Sequence, residues 1–349
     1  MSGARAEIDW DGRLARLYAA LAEHQRRDEP RDAEALQEEI AAVLAEAIRT
    51  TYDLGCAHRA AGRDRAAVQE LATALDLHRW APPGFVPPVG LAACYRALGE
   101  LYQAWGQPLA AAAAAILAVR GGQSFYRQPH LCQIPVLGAL YEQLFGRRAD
   151  GCFVEVGAFD GETYGNTAGL ADLGWRGLYV EPVPASFQQC LRRHAANPRV
   201  TVLNCAIGDS DGTAALWVAR EFSTTVRGHI DHGIAEGWMP PADYERIEVP
   251  QLRLASALTQ AAIAPGFDLL VVDVEGAEEP LFGAFDLGHW RPHVLIVELP
   301  GVPPSGRPPA EPVSPAAAAA HRVRALIEAS GYETVYADYT NTVFRRLAA

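Results

Sequence analysis

The first 120 residues repeat apolar side chains with the period of an α-helix. Two stretches carry an apolar stripe at spacings of three and four residues, namely Leu14, Leu17, Tyr18 and Leu21, then Leu36, Ile40, Val43, Leu44 and Ile48. An α-helix turns every ~3.6 residues, so these positions share one face that must be buried against a neighbour. The pattern predicts an all-α helical domain over residues 1–120.

Two segments of this helical region resemble each other. The matching positions are Leu54-Gly55, Gly62 and Ala66-Ala67, then Leu98-Gly99, Gly106 and Ala110-Ala111. A glycine where helices cross, a glycine at a turn and a pair of alanines are typical of tetratricopeptide-like helix pairs. An ordinary alanine-rich helical bundle is the alternative, and both interpretations stay open.

Residues 121–150 are predicted to form a linker or lid. A pair of glycines ends the preceding helix, and a further helix is expected at 134–145. Tyr126, Gln128 and His130 are candidates for a lid over a bound cofactor. A polar linker between two domains is the alternative, and it is the preferred interpretation for His130.

From residue 151 onward, short apolar runs alternate with amphipathic stretches. Strands are predicted at 152–156, 176–180, 200–207, 213–219, 268–273, 293–297, 334–336 and 342–346. Helices are predicted at 162–173, 184–196, 256–262 and 316–330 and from Ala277 onward, and a long loop at 221–246. Apolar runs of this kind suit strands that are covered on both faces. Their alternation with helices implies an α/β fold with a doubly wound, mostly parallel sheet.

The stretch 151–184 carries the strongest chemical signal. It is predicted to be a strand, a tight glycine turn, a helix and a second strand. Gly157 and Gly161 bracket a turn where the backbone can approach a ligand closely. Glu181 follows the second strand, and ligands in open α/β sheets bind beyond the carboxyl ends of the strands. A carboxylate there can accept both hydroxyls of a ribose, so the stretch predicts a nucleoside-containing cofactor, with an ordinary βαβ unit as the alternative.

Spacing and composition narrow the choice of cofactor. A dinucleotide fingerprint places a glycine where this chain has Phe159, whose side chain would obstruct a pyrophosphate. All thirty basic residues are arginine, which excludes the lysine of a Walker A loop and of a pyridoxal Schiff base. S-adenosylmethionine, which has a ribose but no phosphate, fits better, and Glu155 could face its ammonium group.

The chain resembles the FkbM-type methyltransferases, which are S-adenosylmethionine-dependent enzymes. The resemblance rests on Phe153-Val-Glu-Val-Gly-Ala-Phe-Asp-Gly161, Asn166-Thr167, Gly174-Trp-Arg-Gly-Leu178, Glu181-Pro-Val-Pro184, Asp268-Leu-Leu-Val-Val-Asp-Val-Glu-Gly-Ala-Glu278, Gly331-Tyr332, Asp338 and Asn341. It departs at Gly165, where the family often has serine. It implies a class I (Rossmann-like) methyltransferase domain over 151–349, with a mostly parallel seven-stranded sheet in the order 3-2-1-4-5-7-6.

The same resemblance and the strand-end positions yield a set of candidate site residues. The predicted cofactor-binding residues are Glu155, Gly157, Ala158, Phe159, Gly161, Asn166, Glu181, Cys205, Ala206 and Asp273. The acceptor is expected to be a hydroxyl group of a small molecule, such as a natural product, or of a glycan. A non-catalytic helical-repeat interaction protein with a degenerate α/β domain is the alternative, and an NAD-dependent oxidoreductase is disfavoured by Phe159.

Candidate catalytic residues are acidic or histidine side chains. Asp273, Glu275 and Glu298 follow predicted central strands. Asp273 could bind the methionine ammonium or orient substrate, and Glu275 and Glu298 could act as base or hold a divalent metal such as Mg²⁺ with Asp273. Asp273 and Glu275 could instead cap the following helix. His229 and His232 lie in the predicted loop and could serve as base near neutral pH, or could be exposed loop histidines.

The amino-acid composition limits the kinds of molecule that the protein is expected to bind. The net charge of −12 includes no basic run, so nucleic acid is an unlikely partner. No apolar run reaches the ~20 residues that span a bilayer, so no membrane association is expected. Six cysteines stand singly, which indicates reduced thiols and a cytoplasmic location. Two helical repeats are fewer than the roughly three needed to stand alone, which favours a homodimer or docking on the catalytic domain.

Overall fold

A computed structural model describes residues 9–27, 30–129, 131–304 and 314–348. The chain divides into two compact units, one of residues 1–102 and 114–123, and one of residues 103–113 and 124–349. Residues 103–113 therefore group with the second unit, although the sequence assigned them to the helical domain. None of the described helices is long and apolar enough to cross a lipid bilayer.

The first part of the chain is helical, as its periodicity predicts. The helices are α1 (Trp10–Arg26), α2 (Pro30–Ala60), α3 (Asp64–Leu77), α4 (Leu91–Ala104) and α5 (Pro108–Val119). The predicted stripes form the core of this unit, with Leu14, Leu44 and Ile48 fully buried. Leu17 and Leu36 lie at the edge of that core and are partly buried.

The repeated motif falls on equivalent places of two helix–turn–helix segments. Gly62 joins α2 to α3 and Gly106 joins α4 to α5, and both have a positive φ, of 67° and 72°. A Cβ atom on Gly55 would lie 2.8 Å from Cγ of Leu71 on α3. Gly55 thus permits a close helix crossing, while the tetratricopeptide-like assignment stays a prediction.

Adding a methyl group at the crossing of α2 and α3 is expected to destabilise the protein. Gly55→Ala should lower the free energy of unfolding by about 1 kcal/mol or more, because overpacking costs more than alanine gains in a helix. In a Leu71→Ala background, where the obstructing side chain is removed, the same substitution should stabilise by up to ~1 kcal/mol. Urea unfolding followed by circular dichroism measures both. An equal effect in the two backgrounds would contradict the close crossing.

The second unit contains the remaining elements. Its helices are α6 (Leu137–Phe145), α7 (Ala168–Asp172), α8 (Pro184–Arg193), α9 (Arg227–Glu236), α10 (Leu254–Gln260), α11 (Glu278–Gly283), α12 (Leu287–Trp290) and α13 (Pro315–Ala329). Its strands are β1 (Cys152–Val156), β2 (Arg176–Val180), β3 (Val200–Leu203), β4 (Ala206–Gly208), β5 (Gly212–Trp217), β6 (Arg246–Arg253), β7 (Leu269–Val272), β8 (Val294–Glu298), β9 (Tyr332–Ala337) and β10 (Asn341–Arg346).

The main sheet has the predicted strand order. Seven strands follow one another as β3-β2-β1-β7-β8-β10-β9, and β4, β6 and β5 form a second sheet. Numbered along the chain, the seven are 3-2-1-4-5-7-6, which is the expected order. β1, β2, β3, β7 and β8 run parallel, and β10 is antiparallel to both of its neighbours. The carboxyl ends of the parallel strands therefore meet at one edge.

The hydrophobic core of this unit covers the main sheet. Apolar side chains of the central strands, such as Val154, Leu270 and Leu295, pack in one cluster with residues of α10, α11 and α13, such as Leu258, Phe282 and Ile327. These strands are buried almost throughout, so the apolar runs in the sequence mark a sheet with both faces covered.

Three expectations from the pattern are wrong in detail, and one strand has no counterpart among the expectations. The helix expected at 162–173 is only α7, because Asp160 accepts the backbone N–H of Glu162 and Thr163 in a local turn. The strand expected at 200–207 splits into β3 and β4, which join different sheets. The loop expected at 221–246 contains α9. The strand β6, which contains Pro250, was not predicted.

The lid candidates have structural roles instead. Tyr126 is buried, donates its hydroxyl to the carbonyl of Gly146 at 2.7 Å, and packs edge-on against Trp175. Gln128 donates to the carbonyl of Ile134 at 3.2 Å. His130 lies outside the described residues. The expectation that Tyr126 covers a cofactor is therefore wrong, since its ring belongs to the core.

Candidate cofactor and catalytic site

A cavity of about 220 Å³ opens at the carboxyl edge of the parallel strands. It is lined by Gln133, Glu155, Val156, Gly157, Phe159, Thr163, Tyr164, Gly165, Asn166, Val180, Glu181, Pro182, Cys205, Ala206, Ile207, Leu216, Arg220, Glu221, Phe222, Ser223, Thr225, Asp273, Val274, Glu275 and Glu298. The ends of β1, β2, β7 and β8 all contribute to it, which is the position where open α/β sheets bind ligands.

The turn after β1 brings two strand ends into close approach. Gly157 has a φ of 84°, and a Cβ atom there would lie 1.7 Å from the carbonyl oxygen of Asp273. The amides of Gly157 and Ala158 both donate to the carbonyl of Val180. Only glycine fits between these neighbours, so the turn is held flat against the ends of β2 and β7.

Glu181 anchors the same turn from the end of β2. Its carboxylate accepts the backbone N–H of Phe159 and of Val183, each at 2.8 Å. Phe159 has a φ of 47°, a left-handed conformation that is energetically unfavourable for residues other than glycine. The hydrogen bond from its N–H to Glu181 holds Phe159 in that conformation. Burial raises the pKa of Glu181 to about 7. Each carboxylate oxygen retains a further acceptor site beyond these bonds.

Glu155 lies on β1 beneath the loop that follows the turn. Its carboxylate accepts the backbone N–H of Asn166 at 2.7 Å and the hydroxyl of Thr167. Burial raises the pKa of Glu155 above its ordinary value. The side chain both ties down the loop and borders the cavity, together with Asn166.

Cys205 and Ala206 form the wall at the start of β4. Both are buried and line the cavity with Ile207. Asn204 orients this wall, since its amide donates to the carbonyls of Glu181 and Pro182. Burial raises the pKa of the Cys205 thiol to about 11, so the thiol is neutral near pH 7 and acts as an apolar wall.

Three carboxylates meet where β7 and β8 end. One oxygen each of Asp273, Glu275 and Glu298 lies within 4.8 Å of the other two. These side chains keep some accessible surface because they face the cavity, yet they lie deep in the protein. Burial, followed by the charge of Glu275, raises the pKa of Asp273 to about 7. Burial also raises the pKa of Glu275 to about 8 and that of Glu298 well above its ordinary value.

Glu278 holds the loop that carries two of these carboxylates. Its side chain accepts the backbone N–H of Val274 and of Gly276, each at 3.1 Å. Glu275 itself has a φ of 52°, and its carbonyl accepts the hydroxyl of Thr224 at 2.7 Å. α11 begins without a side-chain cap. The alternative in which Asp273 and Glu275 cap that helix is therefore wrong.

The two candidate histidines lie on α9 in different environments. Nε2 of His229 is 2.9 Å from Oε2 of Glu275, and burial lowers the pKa of His229. A neutral imidazole beside a carboxyl group is suited to accept a proton near neutral pH. The ring of His232 instead faces Trp238, with 6.5 Å between ring centroids. His229 also packs edge-on against Trp238, at 5.2 Å.

The structure brings most predicted site residues together. The cavity is lined by Glu155, Gly157, Phe159, Asn166, Glu181, Cys205, Ala206, Asp273, Glu275 and Glu298. Ala158, Gly161, His229 and His232 are not among the described residues that line it. Gly161 serves packing, because a Cβ atom there would lie 2.7 Å from Nε2 of His194. His229 reaches the cavity only through its contact with Glu275.

Other residues at or near the cavity are indicated only weakly, or not at all, by the sequence pattern. Gln133 lines the cavity and accepts a hydrogen bond from the amide of Asn341 at 2.8 Å. The carboxylate of Asp338 in turn accepts the backbone N–H of Asn341 at 2.6 Å. Asp338 and Asn341 belong to the family pattern, whereas Gln133 stands in a segment without periodicity. Only the fold reveals the contact.

The buried carboxyl groups predict a pH dependence of stability. Burial raises the pKa of Glu181 and of Glu278 from 4.5 to about 7, so the folded state binds protons that the unfolded state releases. The stabilisation is complete below the unfolded pKa and disappears as pH rises through about 7. The free energy of unfolding, measured with urea, should therefore fall between about pH 5 and pH 8.

A variant that lacks the titrating carboxyl group of Glu278 serves as the control. Glu278→Gln keeps an oxygen acceptor for the loop amides but removes one of the titrating groups. The decline in stability with pH should be shallower in this variant than in the natural chain. A stability that rises over the same pH range would contradict the pKa shifts.

The chain matches one protein family model, described as the Methyltransferase FkbM domain, over residues 155–334. This range is just over half of the chain. Solved structures that are similar to this chain include two O-methyltransferases. One is a putative O-methyltransferase from Klebsiella pneumoniae, with 14% identity, covering 61% of this chain and 78% of that chain, with a TM-score of 0.31. The other is an O-methyltransferase from Bacillus cereus in complex with SAH, with 13% identity, covering 86% and 100%, with a TM-score of 0.34. Comparison with curated proteins gives no match.

Proposed function

This chain belongs to the FkbM methyltransferase family, and we propose that it transfers a methyl group from S-adenosylmethionine to a hydroxyl group of a small molecule or glycan. The observation that carries the proposal is the convergence of the Gly157 turn, Glu181 and Asp273 on one cavity. S-adenosylmethionine supplies a methyl group on a positively charged sulfur. The chain must bind this donor, align the acceptor hydroxyl and exclude water.

The residues around the cavity fit such a donor. The carboxylate of Glu181 is fixed by two backbone amides and retains acceptor sites for a pair of ribose hydroxyls. The wall of Cys205, Ala206 and Ile207 is apolar and suits an adenine ring. Oδ1 of Asp273 is buried and has no hydrogen-bond partner among the described residues. It is an acceptor that a ligand with N–H or O–H groups can satisfy.

Glu275 and His229 are proposed to take the proton of the acceptor hydroxyl. Burial lowers the pKa of His229, which keeps its imidazole neutral and able to accept a proton, and burial raises the pKa of Glu275 to about 8. General base catalysis of this kind contributes roughly 10²- to 10⁴-fold to a rate.

The two histidines of α9 provide a matched test of this role. His229→Ala should slow methyl transfer by roughly 10²-fold or more at unchanged binding of S-adenosylhomocysteine. His232→Ala should leave the rate within about threefold, because among the described residues it is His229, and not His232, that contacts the cavity carboxylate Glu275. Release of S-adenosylhomocysteine with an accepted hydroxyl compound measures both rates. Equal rates in the two variants would rule out His229 as the base.

We further propose that the helical segments are tetratricopeptide-like repeats, that the protein is a homodimer and that it is located in the cytoplasm. Two helix–turn–helix segments provide amphipathic faces that could pair with a second copy or present an acceptor. Sedimentation of the full chain distinguishes these roles: a dimer supports the first, and a monomer at all concentrations contradicts it.

Calorimetric titration of the full chain with S-adenosylmethionine, S-adenosylhomocysteine and NAD tests the proposed function. We expect both sulfur nucleosides to bind and NAD not to bind, because Phe159 stands where a pyrophosphate needs glycine. Absence of any response to S-adenosylhomocysteine would overturn the proposal and favour a non-catalytic interaction protein. Binding of NAD alone would favour an oxidoreductase.

A further inference from the structure

We infer that Gln133 binds the carboxylate of the methionine part of the methyl donor, and that Asp338 and Asn341 orient its amide for this contact. This assignment rests on the proposed function, since it concerns the same donor in the same cavity. It gives a role to Asp338 and Asn341, which are not among the described residues that line the cavity. Gln133 lies outside residues 155–334, which match the family model, so the match does not supply the assignment.

Gln133 stands at the rim of the cavity between two loops. It is exposed and lines the cavity. The thiol of its neighbour Cys132 contacts Oδ1 of Asn166 at 3.9 Å, and Asn166 lies in the loop that follows the turn after β1. On the other side Gln133 contacts Asn341, the first residue of β10, which lies opposite Glu298 at the end of β8. Gln133 therefore lies on the side of β1 that is opposite to β2.

This position corresponds to the methionine end of the donor. In the proposed orientation the ribose hydroxyls bind Glu181 after β2, and the sulfur lies beside Gly157 and Asp273, after β1 and β7. The methionine group extends from the sulfur away from the ribose. Because the strands follow one another as β2-β1-β7-β8-β10, the group extends toward the part of the rim where Gln133 stands.

Gln133 supplies the kind of hydrogen bond that the methionine carboxylate needs. The ammonium of the methionine group can pair with the carboxylates of the cavity, whereas its carboxylate needs N–H or O–H donors. Among the described lining residues, the side chains with N–H groups are those of Gln133, Asn166 and Arg220. The side chain of Arg220 is 86% exposed and pairs with Glu221. A hydrogen bond from an amide to a carboxylate is stronger than one between neutral groups.

A row of polar groups fixes which end of the Gln133 amide is free for a ligand. The side-chain amide of Asn341 donates to Oε1 of Gln133 at 2.8 Å. One carboxylate oxygen of Asp338 accepts the backbone N–H of Thr340 and of Asn341, at 2.7 and 2.6 Å. The hydroxyl of Tyr336 donates to the other oxygen at 2.7 Å. Since Oε1 of Gln133 is bound to Asn341, its Nε2 group is the end that donates to the ligand.

The contact between Gln133 and Asn341 could instead serve only to tie residues 129–134 to β10. A purely structural tie of this kind would affect every ligand of the cavity to a similar extent when it is removed. A hydrogen bond to the methionine carboxylate affects only those ligands that carry this carboxylate. The two roles are therefore separated by a pair of ligands that differ in the carboxylate alone.

Calorimetric titration of the full chain with S-adenosylhomocysteine and with its decarboxylated analogue tests the contact. The analogue keeps the nucleoside, the sulfur and the ammonium group. Gln133→Ala should weaken the binding of S-adenosylhomocysteine by roughly tenfold and that of the analogue by less than about twofold. Gln133→Glu still accepts from Asn341 but places a negative charge beside the carboxylate, so it should weaken S-adenosylhomocysteine at least as much and leave the analogue bound.

Two further variants test the orienting role and the specificity of the effect. Asn341→Ala removes the donor that holds Oε1 of Gln133, so the amide must be ordered on binding, and S-adenosylhomocysteine alone should bind about threefold more weakly. Gln188→Ala is the matched control, because Gln188 is exposed on α8 and is not among the described residues that line the cavity. It should bind both ligands like the natural chain.

The outcomes separate this inference from the proposed function. If the natural chain binds neither ligand, the methyltransferase proposal fails, and the assignment of Gln133 fails with it. If the natural chain binds both ligands, the donor site stands, and equal losses of the two ligands in Gln133→Ala, or no loss, would overturn the carboxylate contact. Normal binding of S-adenosylhomocysteine by Asn341→Ala would overturn the orienting role. Gln133 is exposed, so its variants decide the contact even if Asn341→Ala fails to fold.

Discussion

Replacing Gly157 by alanine is expected to weaken the binding of S-adenosylhomocysteine by roughly 100-fold or more, which corresponds to about 2.7 kcal/mol. The added Cβ atom would lie 1.7 Å from the carbonyl oxygen of Asp273. A backbone oxygen cannot rotate away, so the turn after β1 must separate from the end of β7. That movement would displace the cavity wall on both sides.

Gly174→Ala is the matched control for this substitution. Gly174 has a φ of 90°, similar to the 84° of Gly157, but a Cβ atom added there would have no described heavy atom within 4 Å beyond its chain neighbours. Both variants incur the cost of a left-handed alanine, about 1–2 kcal/mol, and only Gly157→Ala adds the steric clash. We expect unfolding in urea to show a further loss of roughly 1–3 kcal/mol for Gly157→Ala. Calorimetry should show that Gly174→Ala binds the nucleoside normally. Equal effects would contradict the close approach of the two strand ends.

Replacing Glu181 by alanine is expected to have the second large effect, again roughly 100-fold on the binding of S-adenosylhomocysteine. The substitution leaves the amides of Phe159 and Val183 without their acceptor, and an unsatisfied buried donor costs about 1–3 kcal/mol. It also removes the proposed acceptor of the ribose hydroxyls. The substitution would therefore remove both the hydrogen bond that fixes the turn at Phe159 and the proposed contact with the ribose.

Two further variants separate these contributions. Glu181→Gln keeps one oxygen acceptor and the side-chain shape, so its affinity for S-adenosylhomocysteine should lie between those of the natural chain and Glu181→Ala. Glu248→Ala replaces an exposed acid on β6 and should leave the affinity unchanged within about twofold. Calorimetric titration measures all three. A Glu181→Ala variant that binds like the natural chain would show that this carboxylate does not contact the nucleoside.

The site residues that could be predicted from the sequence are those whose place in the fold follows from the apolar pattern of the neighbouring residues. Apolar runs such as Leu269–Val272 mark buried parallel strands, and a carboxylate directly after such a run must lie at the sheet edge. The pattern predicts the positions of Glu181 and Asp273 in this way. The strand order came from the family resemblance, because no local pattern states which strands are neighbours.

The residues that escaped prediction depend on contacts that are distant in sequence or on local turns that compete with helices. Gln133 reaches the cavity by pairing with Asn341, far along the chain. The helix expected from residue 162 is interrupted because Asp160 binds nearby amides, a preference of aspartate that competes with helical hydrogen bonds. Strand β6 contains Pro250, which argues against a strand in any interpretation based on pattern alone.

A crystal structure of the full chain with S-adenosylhomocysteine is the most direct test of the central claim, that the cavity at the ends of β1, β2 and β7 holds the methyl donor. The account predicts electron density for the nucleoside in this cavity, with the ribose hydroxyls on the carboxylate of Glu181 and the sulfur beside Gly157 and the carboxylate of Asp273. Density for the nucleoside at any other place, or an empty cavity at saturating S-adenosylhomocysteine, would contradict it.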